Sequence, residues 1–409
     1  MSSPPKRSAL AFIFVTIFLD ATGLGIIIPV TPELIMELTG EGVSAASIYG
    51  GWLIFVYAFM QFCLAPTVGN LSDRFGRRPV LLASLAAFSV DYLLMGFAPT
   101  IAWLFAGRVV AGITGASFGT ANAYIADVSE EGERAKNFGL VGAAWGLGFI
   151  AGPVIGGFLG EYGPRVPFFV ASGLAAANFV YGFLVVPETL SPERRRPFSL
   201  ARANPIGAAL QMRKHPVVLG LGVSLLLYQV AHDVNPSVWS YYTIEKFGWS
   251  ERDIGYSLGF VGITIAIVQG GLIRLVINRI GERRAVYVGL VITALGFFGF
   301  AFAKTGWMMY AAIIPFSMGG FAIPALRGIM SNQVPQDAQG ELQGAITSLV
   351  SMTAVMTPPM MTHIFGHFTG PSAPFYFPGA PFFTAAVLVS LSVLWFGRLA
   401  RSGELVRAS

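Results

Sequence analysis

Three charged residues interrupt stretches of the sequence that are otherwise apolar. Asp20 lies in the first long apolar run, Asp91 in the third, and Arg108 near the start of the fourth. On membrane-insertion scales, a charge at the centre of a bilayer costs roughly 2.5–3.5 kcal/mol. One such residue is tolerable, whereas two acids and one arginine indicate that the charges compensate one another. The chemistry available to this set is ion pairing inside the membrane.

Arg108 begins a row of small and polar residues in "GRVVAGITGASFGTANAYIAD". The members of this row recur at steps of four and three residues: Arg108, Gly112, Gly115, Gly119 and Asn122. This spacing places them on one face of a helix. We therefore expect the guanidinium to reach across a glycine-lined face to Asp20 and Asp91 on neighbouring helices.

The stretch "GNLSDRFGRRP" joins the second and third apolar runs. Gly69 permits close helix packing, Asp73 can accept hydrogen bonds from backbone or arginine donors, and Gly76 permits a tight reversal. Arg77 and Arg78 are expected to anchor the loop to anionic lipid headgroups.

The fifth run contains "GLGFIAGPVIGG". Its small residues and proline are Gly148, Gly152, Pro153, Gly156 and Gly157. Glycines four residues apart allow close helix contact, and a proline inside a helix introduces a bend. Small-residue packing explains this pattern as well as any more specific function does.

Several other polar residues are candidates for contact with a substrate. They are Gln61, Asn122, His232, Asp233, Asn235, Arg327 and Gln343. His232 and Asp233 form either a second titrating or binding site or a wet helix end. We expect Arg327 either to bind an anionic or polar group or to pair with Asp233. Gln61 and Gln343 either line a cavity or form helix–helix hydrogen bonds.

The elements that carry these residues are membrane helices. The chain has 409 residues, of which 54% are hydrophobic and only 11% are charged, against roughly 25% charged residues in soluble domains. Twelve long apolar runs are present, at approximately 8–30, 47–70, 79–98, 101–126, 136–160, 166–187, 216–243, 253–277, 284–303, 306–330, 340–366 and 379–398. Since they lack period-2 alternation, we predict an all-α polytopic membrane protein rather than a barrel.

The distribution of charge predicts the orientation and the domains. Most of the 26 basic residues lie in loops on one side of the predicted spans, so both termini are predicted to be cytoplasmic. A basic segment at 188–215 separates six spans from six. We therefore predict an N-terminal bundle at 1–187, a cytoplasmic linker at 188–215 and a C-terminal bundle at 216–409.

The two halves look related in sequence. "DRFGRR" in the first half matches "NRIGER" 205 residues later, and the same offset pairs Gly115 with Gly320 and Pro153 with Pro358. Six spans per half give the two repeats the same orientation. Such parallel repeats form two pseudo-symmetric bundles around an axis along the membrane normal.

These motifs carry a family resemblance. The residues that match the G-x-x-x-D-R-x-G-R-R signature of the major facilitator superfamily are Gly69, Asp73, Arg74, Gly76, Arg77 and Arg78. The resemblance implies the twelve-helix major facilitator fold, in which this loop is a conformational latch that does not touch substrate. Within that superfamily, "GLGFIAGPVIGG" resembles the motif of drug–proton antiporters.

A narrower resemblance is to the tetracycline efflux pumps. It rests on stretches such as "FLDATGLGIIIPVTPEL", "SVDYLLMGFAPT" and "PALRGIMSNQVPQDAQGELQG". It implies that Asp20, Asp91 and Arg108 serve proton coupling, and we favour Asp20 as the proton carrier. The tetracycline pumps also place an acid in span nine, where this chain has Thr293 at the nearest position.

We therefore predict a transporter of the bacterial inner membrane that exports small amphipathic organic compounds in exchange for protons. The alternative is a proton-coupled uptake or metabolite carrier with a non-drug substrate, and a non-transporting membrane sensor is a rival from another class. No H-E-x-x-H and no Walker motif occurs, so we predict neither an enzyme nor an ATP-driven pump. We expect no cofactor or bound metal apart from Mg²⁺ chelated by a substrate, and no nucleic acid or obligate protein partner.

Overall fold

The structure is a computed structural model, and it describes residues 6–115, 118–129, 133–198 and 216–401. Every α-helix in these ranges is numbered here in chain order. They are α1 Lys6–Ile27, α2 Thr31–Thr39, α3 Val43–Phe75, α4 Arg77–Gly96, α5 Ile101–Gly115, α6 Phe118–Val128, α7 Arg134–Gly160, α8 Val166–Val185, α9 Pro216–His232, α10 Val234–Phe247, α11 Glu251–Ile267, α12 Ile273–Phe302, α13 Gly306–Met318, α14 Ala322–Asn332, α15 Gln339–Thr369 and α16 Ala380–Arg401.

These helices account for the predicted spans. In the described part of the chain, nine helical segments are long and apolar enough to cross a membrane, or ten if the bent pair of α1 and α2 is one span. One of the nine, Glu251–Phe302, has 52 residues and reverses at Gly281, so it contains predicted spans eight and nine. The less apolar α15 occupies predicted span eleven. The all-α polytopic architecture is therefore confirmed.

The backbone confirms the internal repeat. Gly76, between α3 and α4, has φ 109° and ψ 161°. Gly281, its counterpart in the second half, has φ 76° and ψ 161°. Positive φ is disfavoured for residues with a Cβ, so both halves need glycine at the same turn of the same motif.

The helices group into two compact units. Unit one comprises Met1–Glu41, Val56–Asn204 and Trp249–Gly262, and unit two comprises Gly42–Phe55, Pro205–Gly248 and Ile263–Ser409. Each unit therefore holds most of one predicted bundle and a short helical segment from the other half of the sequence. Residues 199–215 of the predicted linker lie outside the described residues.

Small residues explain why the start of α11 belongs to unit one. A Cβ at Gly255 would overlap the carbonyl oxygen of Pro153, and a Cβ at Gly157 would overlap that of Glu251. Only helices with glycine at these positions can bring their backbones this close. The packing joins α11 to the proline-containing part of α7.

The core of unit two is aromatic. Phe300 contacts the rings of Trp239, Phe316 and Phe382, with centroids 5.2–5.6 Å apart. The Tyr242 hydroxyl donates a hydrogen bond to the Phe300 carbonyl oxygen at 2.6 Å. Each aromatic pair adds about 0.5–1.5 kcal/mol beyond its buried area. This cluster holds α10 against α12 and α16 and thereby positions the break between α9 and α10.

Candidate functional site

A buried ion pair joins α4 to α5 in unit one. The Arg108 Nη2 atom donates to Asp91 Oδ2 at 3.1 Å, and the Asp91 side chain is fully buried. The approach is possible because Gly107 lies against the carboxylate, where a Cβ would come within 2.6 Å of Asp91 Oδ1. The predicted compensation between an acid and Arg108 is therefore present, and Asp91 is its acid.

The pair is incompletely hydrogen bonded. Asp91 Oδ1 and Arg108 Nε are both buried and have no hydrogen-bond partner among the described residues. The guanidinium also lies 2.6 Å from the Met95 sulfur and 5.9 Å from the centroid of the Tyr57 ring. A buried pair with spare donor and acceptor sites is less stable than a fully satisfied one.

Asp20 is held separately from this pair. Its Oδ1 accepts a hydrogen bond from the Asn178 side-chain amide of α8 at 3.2 Å. Asn178 is fully buried and also accepts from the Thr16 hydroxyl at 3.2 Å. Among the described residues, Asp20 forms no ion pair. The three charges expected to interact therefore form one ion pair, between Asp91 and Arg108, and one separate carboxyl group. Asp20 is separate because Asn178 of α8, a neutral residue, is its hydrogen-bond partner.

The glycine-lined face of α5 packs on α3. A Cβ at Gly112 would come within 2.6 Å of the Tyr57 carbonyl oxygen, and one at Gly115 within 2.8 Å of the Tyr57 hydroxyl. The Gln61 amide donates to the Gly115 carbonyl oxygen at 3.0 Å. Of the two roles considered for Gln61, the structure places it in a helix–helix hydrogen bond. Asn122 is half-buried on α6.

The loop between α3 and α4 is held by a network centred on Arg77. Its Nη1 donates to Asp73 Oδ1 and to the Ser72 hydroxyl, both at 2.6 Å. Its Nε donates to Asp127 Oδ2 at 3.3 Å. The prediction that Asp73 accepts from an arginine is confirmed, and Asp127 at the end of α6 joins the network.

The described contacts of Arg77, Arg78 and Gly69 differ from those expected for this loop. Arg78 donates to the Phe183 carbonyl oxygen at 2.8 Å, and Arg77 binds the carboxylates above, so these side chains bind protein where headgroup anchoring was expected. No described atom lies within 4 Å of a Cβ placed at Gly69, which therefore makes no close helix contact. Arg74 is exposed, with its guanidinium 5.1 Å from the Phe75 ring.

Glu188 clamps the same loop from the far side. Its carboxylate accepts hydrogen bonds from the backbone N–H groups of Arg77 at 2.9 Å and Arg78 at 3.2 Å. These are unpaired donors at the N-terminus of α4, where a negative charge is favoured. The neighbouring Thr189 hydroxyl donates to Asp127 at 3.3 Å. The segment after α8 therefore ties the loop to α6.

The five residues of "GLGFIAGPVIGG" divide between two faces of α7. Gly148, Gly152 and Gly156 face α1, where added Cβ atoms would overlap the carbonyl oxygens of Phe18, Thr22 and Ile26. Gly157 faces α11, as described above, whereas Pro153 contacts both helices: its ring lies against Gly25 of α1 and its carbonyl oxygen against Gly255 of α11. The predicted close packing is confirmed, and it places α1, which carries Asp20, directly against this motif.

Unit two contains a pocket of about 250 Å³. Its polar lining includes Gln229, His232, Gln269 and Arg327, and its aromatic lining includes Tyr228. The His232 ring stacks between the rings of Tyr228 and Phe316, with centroids 5.8 and 5.9 Å away. A pocket with apolar walls and a few convergent polar groups is the usual form of a small-molecule site.

The pocket gathers only some of the predicted binding residues. His232 and Arg327 line it, whereas Gln343 is exposed on α15. Asp233 and Asn235 lie at the break between α9 and α10, where Asp233 accepts a hydrogen bond from Gln229 at 2.8 Å. An ion pair between Arg327 and Asp233, one of the two roles expected for Arg327, is not present among the described residues.

Sequence reasoning missed several residues of these sites. Asn178, Gln229 and Gln269 are amides inside apolar runs, and that placement was the available signal. Asp127 and Glu188 lie just beyond spans four and six, where a charge is ordinary, so nothing in the sequence distinguished them.

Comparison with known proteins identifies similar chains. The family model described as Major Facilitator Superfamily matches residues 13–358 and 221–407. The tetracycline resistance protein of class C from Escherichia coli is 40% identical over 360 residues, covering 88% of this chain and 90% of that protein. The class G protein from Vibrio anguillarum is 37% identical, covering 89% and 92%. The crystal structure of the nucleoside transporter NupG, at 11% identity, has a TM-score of 0.77 and covers 96% of this chain and 99% of its own, which shows a shared fold.

Proposed function

We propose that this chain, which belongs to the Major Facilitator Superfamily and is a multi-pass membrane transporter of small molecules, exports amphipathic organic compounds in exchange for protons. The relatives that share 35–40% of its residues over most of their length are tetracycline resistance proteins. The driving force is sufficient, because each charge that crosses the membrane gains about 2.3 kcal/mol per 100 mV.

The observation that carries the proposal is the position of Asp20. It is a carboxyl group in a membrane helix, bonded to the neutral amide of Asn178, and its helix packs against the glycines of α7. Arg108 is engaged with Asp91, so Asp20 can gain or lose a proton without breaking an ion pair. We assign proton uptake to Asp20, and we assign to the Asp91–Arg108 pair the part that changes partners during alternating access.

We assign substrate binding to the pocket of unit two. Arg327 and the amides of Gln229 and Gln269 supply hydrogen-bond donors, and Tyr228 and Phe316 supply apolar walls. A flat compound that carries carbonyl or hydroxyl groups fits this chemistry. We propose no cofactor, no enzymatic activity and no obligate protein partner. Mg²⁺ would enter only as part of a chelated substrate.

The structure favours a substrate other than a magnesium–tetracycline chelate. Thr293, at the position nearest to the span-nine acid of the pumps that this chain resembles, is fully buried. Its hydroxyl donates to the Gly289 carbonyl oxygen at 2.9 Å, and Gly319 packs directly against it. This side chain lies in a helix contact and offers no ligand. The same observation is the one that favours the alternative, a proton-coupled uptake carrier.

For orientation, we propose that the chain spans the bacterial inner membrane with both termini in the cytoplasm. The network around Arg77 and Glu188 would then lie on the cytoplasmic side. We assign to it the latch that closes and opens with each cycle, as the family resemblance implies.

Transport in proteoliposomes tests the proposal. Vesicles that contain the purified chain are given an imposed pH gradient of either sign, and uptake is measured for a panel of fluorescent drugs and for tetracycline with and without Mg²⁺. Antiport predicts accumulation of the compound on the more acidic side. Accumulation that follows the protons to the more alkaline side would establish the uptake carrier instead.

The variants of this experiment separate coupling from folding. Asp20→Asn should lose proton-driven accumulation and keep substrate binding, since an asparagine preserves the size of the side chain. Asp253→Asn, which changes an exposed carboxylate at the start of α11, is the matched control and should transport as the wild type does. Full proton-driven transport by Asp20→Asn would refute the role assigned to Asp20.

A further inference from the structure

The break between α9 and α10 carries one carboxylate, that of Asp233. Asp233 is the residue between the two helices; it does not line the pocket of unit two, but it is bonded to Gln229, which does. Its Oδ1 accepts a hydrogen bond from the Gln229 amide at 2.8 Å. Thr353 of α15 lies beside the carboxylate, and its hydroxyl donates to the Val350 carbonyl oxygen at 2.8 Å. When it is ionised, the carboxylate carries one negative charge. This charge has no described cationic partner.

Two side-chain oxygens at this break and one on α15 have no hydrogen-bond partner among the described residues. They are Asp233 Oδ2, Asn235 Oδ1 and Thr357 Oγ1, and each is buried. The Asn235 amide nitrogen donates to the His232 carbonyl oxygen at 2.9 Å. Because a carbonyl oxygen can only accept, this contact fixes the orientation of the amide and leaves Oδ1 free. Buried polar atoms without partners are rare, so these three need an explanation.

Helix α15 adds further oxygens. Thr353, which contacts Asp233, and Thr357 are one turn apart and share a face of the helix. Thr357 is fully buried. Pro358 and Pro359 lie inside α15, and since proline has no N–H, they leave the carbonyl oxygens four residues earlier without their helical donors. Those carbonyls lie in the turn between the two threonines.

We propose that unit two binds one monovalent metal cation, Na⁺, between Asp233 and Asn235 at the helix break and Thr357 on α15. A hard cation takes oxygen ligands, and the C-terminal end of a broken membrane helix together with unpaired carbonyls is the arrangement that coordinates Na⁺ in other transporter folds. The C-terminus of α9 also supplies a partial negative charge.

The charge of the site and its number of unpartnered oxygens favour Na⁺ over a proton and over a divalent cation. A proton on Asp233 would create one donor, which pairs with only one of the other two unpartnered oxygens. A divalent cation would leave one uncompensated positive charge beside a single carboxylate, at high cost in a medium of low dielectric constant. One Na⁺ balances the carboxylate and, since it takes several oxygen ligands, has coordination positions for all three oxygens. This site is independent of Asp20 and of the proton exchange proposed above.

Direct binding of ²²Na⁺ tests the proposal without any transport step. The purified full chain in detergent is titrated with ²²NaCl at pH 8, with choline chloride holding the ionic strength constant. We expect saturable binding of one Na⁺ per chain. Asp233→Asn should abolish it, and Thr357→Val should weaken it about tenfold, the size of effect that loss of one supporting oxygen has at metal sites.

Matched variants keep the result interpretable. Thr347→Val removes an exposed hydroxyl of the same helix that bonds only to the Gln343 carbonyl oxygen, and it should bind Na⁺ as the wild type does. Thr357→Ser retains the hydroxyl and should retain binding, which guards against a folding defect in Thr357→Val. Asp20→Asn should also bind Na⁺ normally, so a failure of the proton-exchange proposal would leave this result unchanged.

Two outcomes would overturn the proposal. One is the absence of saturable Na⁺ binding by the wild-type chain. The other is undiminished binding by Asp233→Asn, which would place the cation elsewhere.

Discussion

The buried Asp91–Arg108 pair allows a quantitative test of how unit one is held together. We predict that Asp91→Asn and Arg108→Gln each destabilise the chain strongly, whereas the double variant recovers most of the loss. The reason is that each single variant leaves one charge buried without its partner. The double variant leaves neither charge and keeps side chains of similar size.

The expected magnitude follows from the geometry. At 3.1 Å, two unit charges at an effective dielectric constant of 20 attract by roughly 5 kcal/mol. Breaking one partner of a buried pair costs about 3–5 kcal/mol, while removing both is often close to neutral. The double-mutant cycle should therefore give a coupling free energy of about 3 kcal/mol or more.

The assay is equilibrium unfolding in mixed micelles, followed by circular dichroism for the wild type, both single variants and the double variant. Arg165 and Glu37 provide a matched control cycle. They also approach to 3.1 Å, but their side chains are 30% and 47% exposed, so their coupling should be no more than about 1 kcal/mol. Equal couplings for the two pairs, or additive losses at Asp91 and Arg108, would refute the reasoning from burial.

Three further variants test other contacts. Gly156→Ala should cost about 1–3 kcal/mol of stability by overpacking against α1, whereas Gly142→Ala, with no described atom within 4 Å of the added Cβ, should be tolerated in the same unfolding assay. Glu188→Ala should cost about 1 kcal/mol through loss of the cap on α4 and change the rate of transport, and an unchanged rate would argue against its role in the loop. Burial and the hydrogen bond to Glu245 raise the pKa of Tyr376 to about 12. Its phenol should therefore ionise near pH 12 in a difference titration against Tyr376→Phe, and the stability it contributes should be intact below about pH 10 and lost as the pH rises through 12.

Much of the architecture follows from local properties of the chain. Long apolar runs must form helices in a membrane because their backbone groups have no other partners, so twelve spans were readable without any knowledge of packing. The repeat was equally readable, since the turn at Gly76 and the turn at Gly281 both need a glycine for the same positive φ. The close packing of α7 followed from glycines four residues apart.

The residues of the candidate sites could be predicted only in part from the sequence. Asp20, Asp91 and Arg108 were identifiable because a charge in an apolar run is costly wherever the helix faces. Their pairing was not, since it depends on which faces of α1, α4, α5 and α8 meet. Asn178 forms a hydrogen bond with Asp20, and Arg108 forms its ion pair with Asp91.

The same division holds in the second half of the chain. The sequence alone determined that His232, Asp233 and Arg327 are unusual in membrane helices, because the cost of a polar group in lipid does not depend on its neighbours. Only the tertiary structure decided that His232 and Arg327 line one pocket while Asp233 lies outside that lining, beside Thr353 of α15. The physical reason is that hydropathy is a property of each residue, whereas the partner of a side chain depends on the rotation and depth of two helices, which packing alone sets.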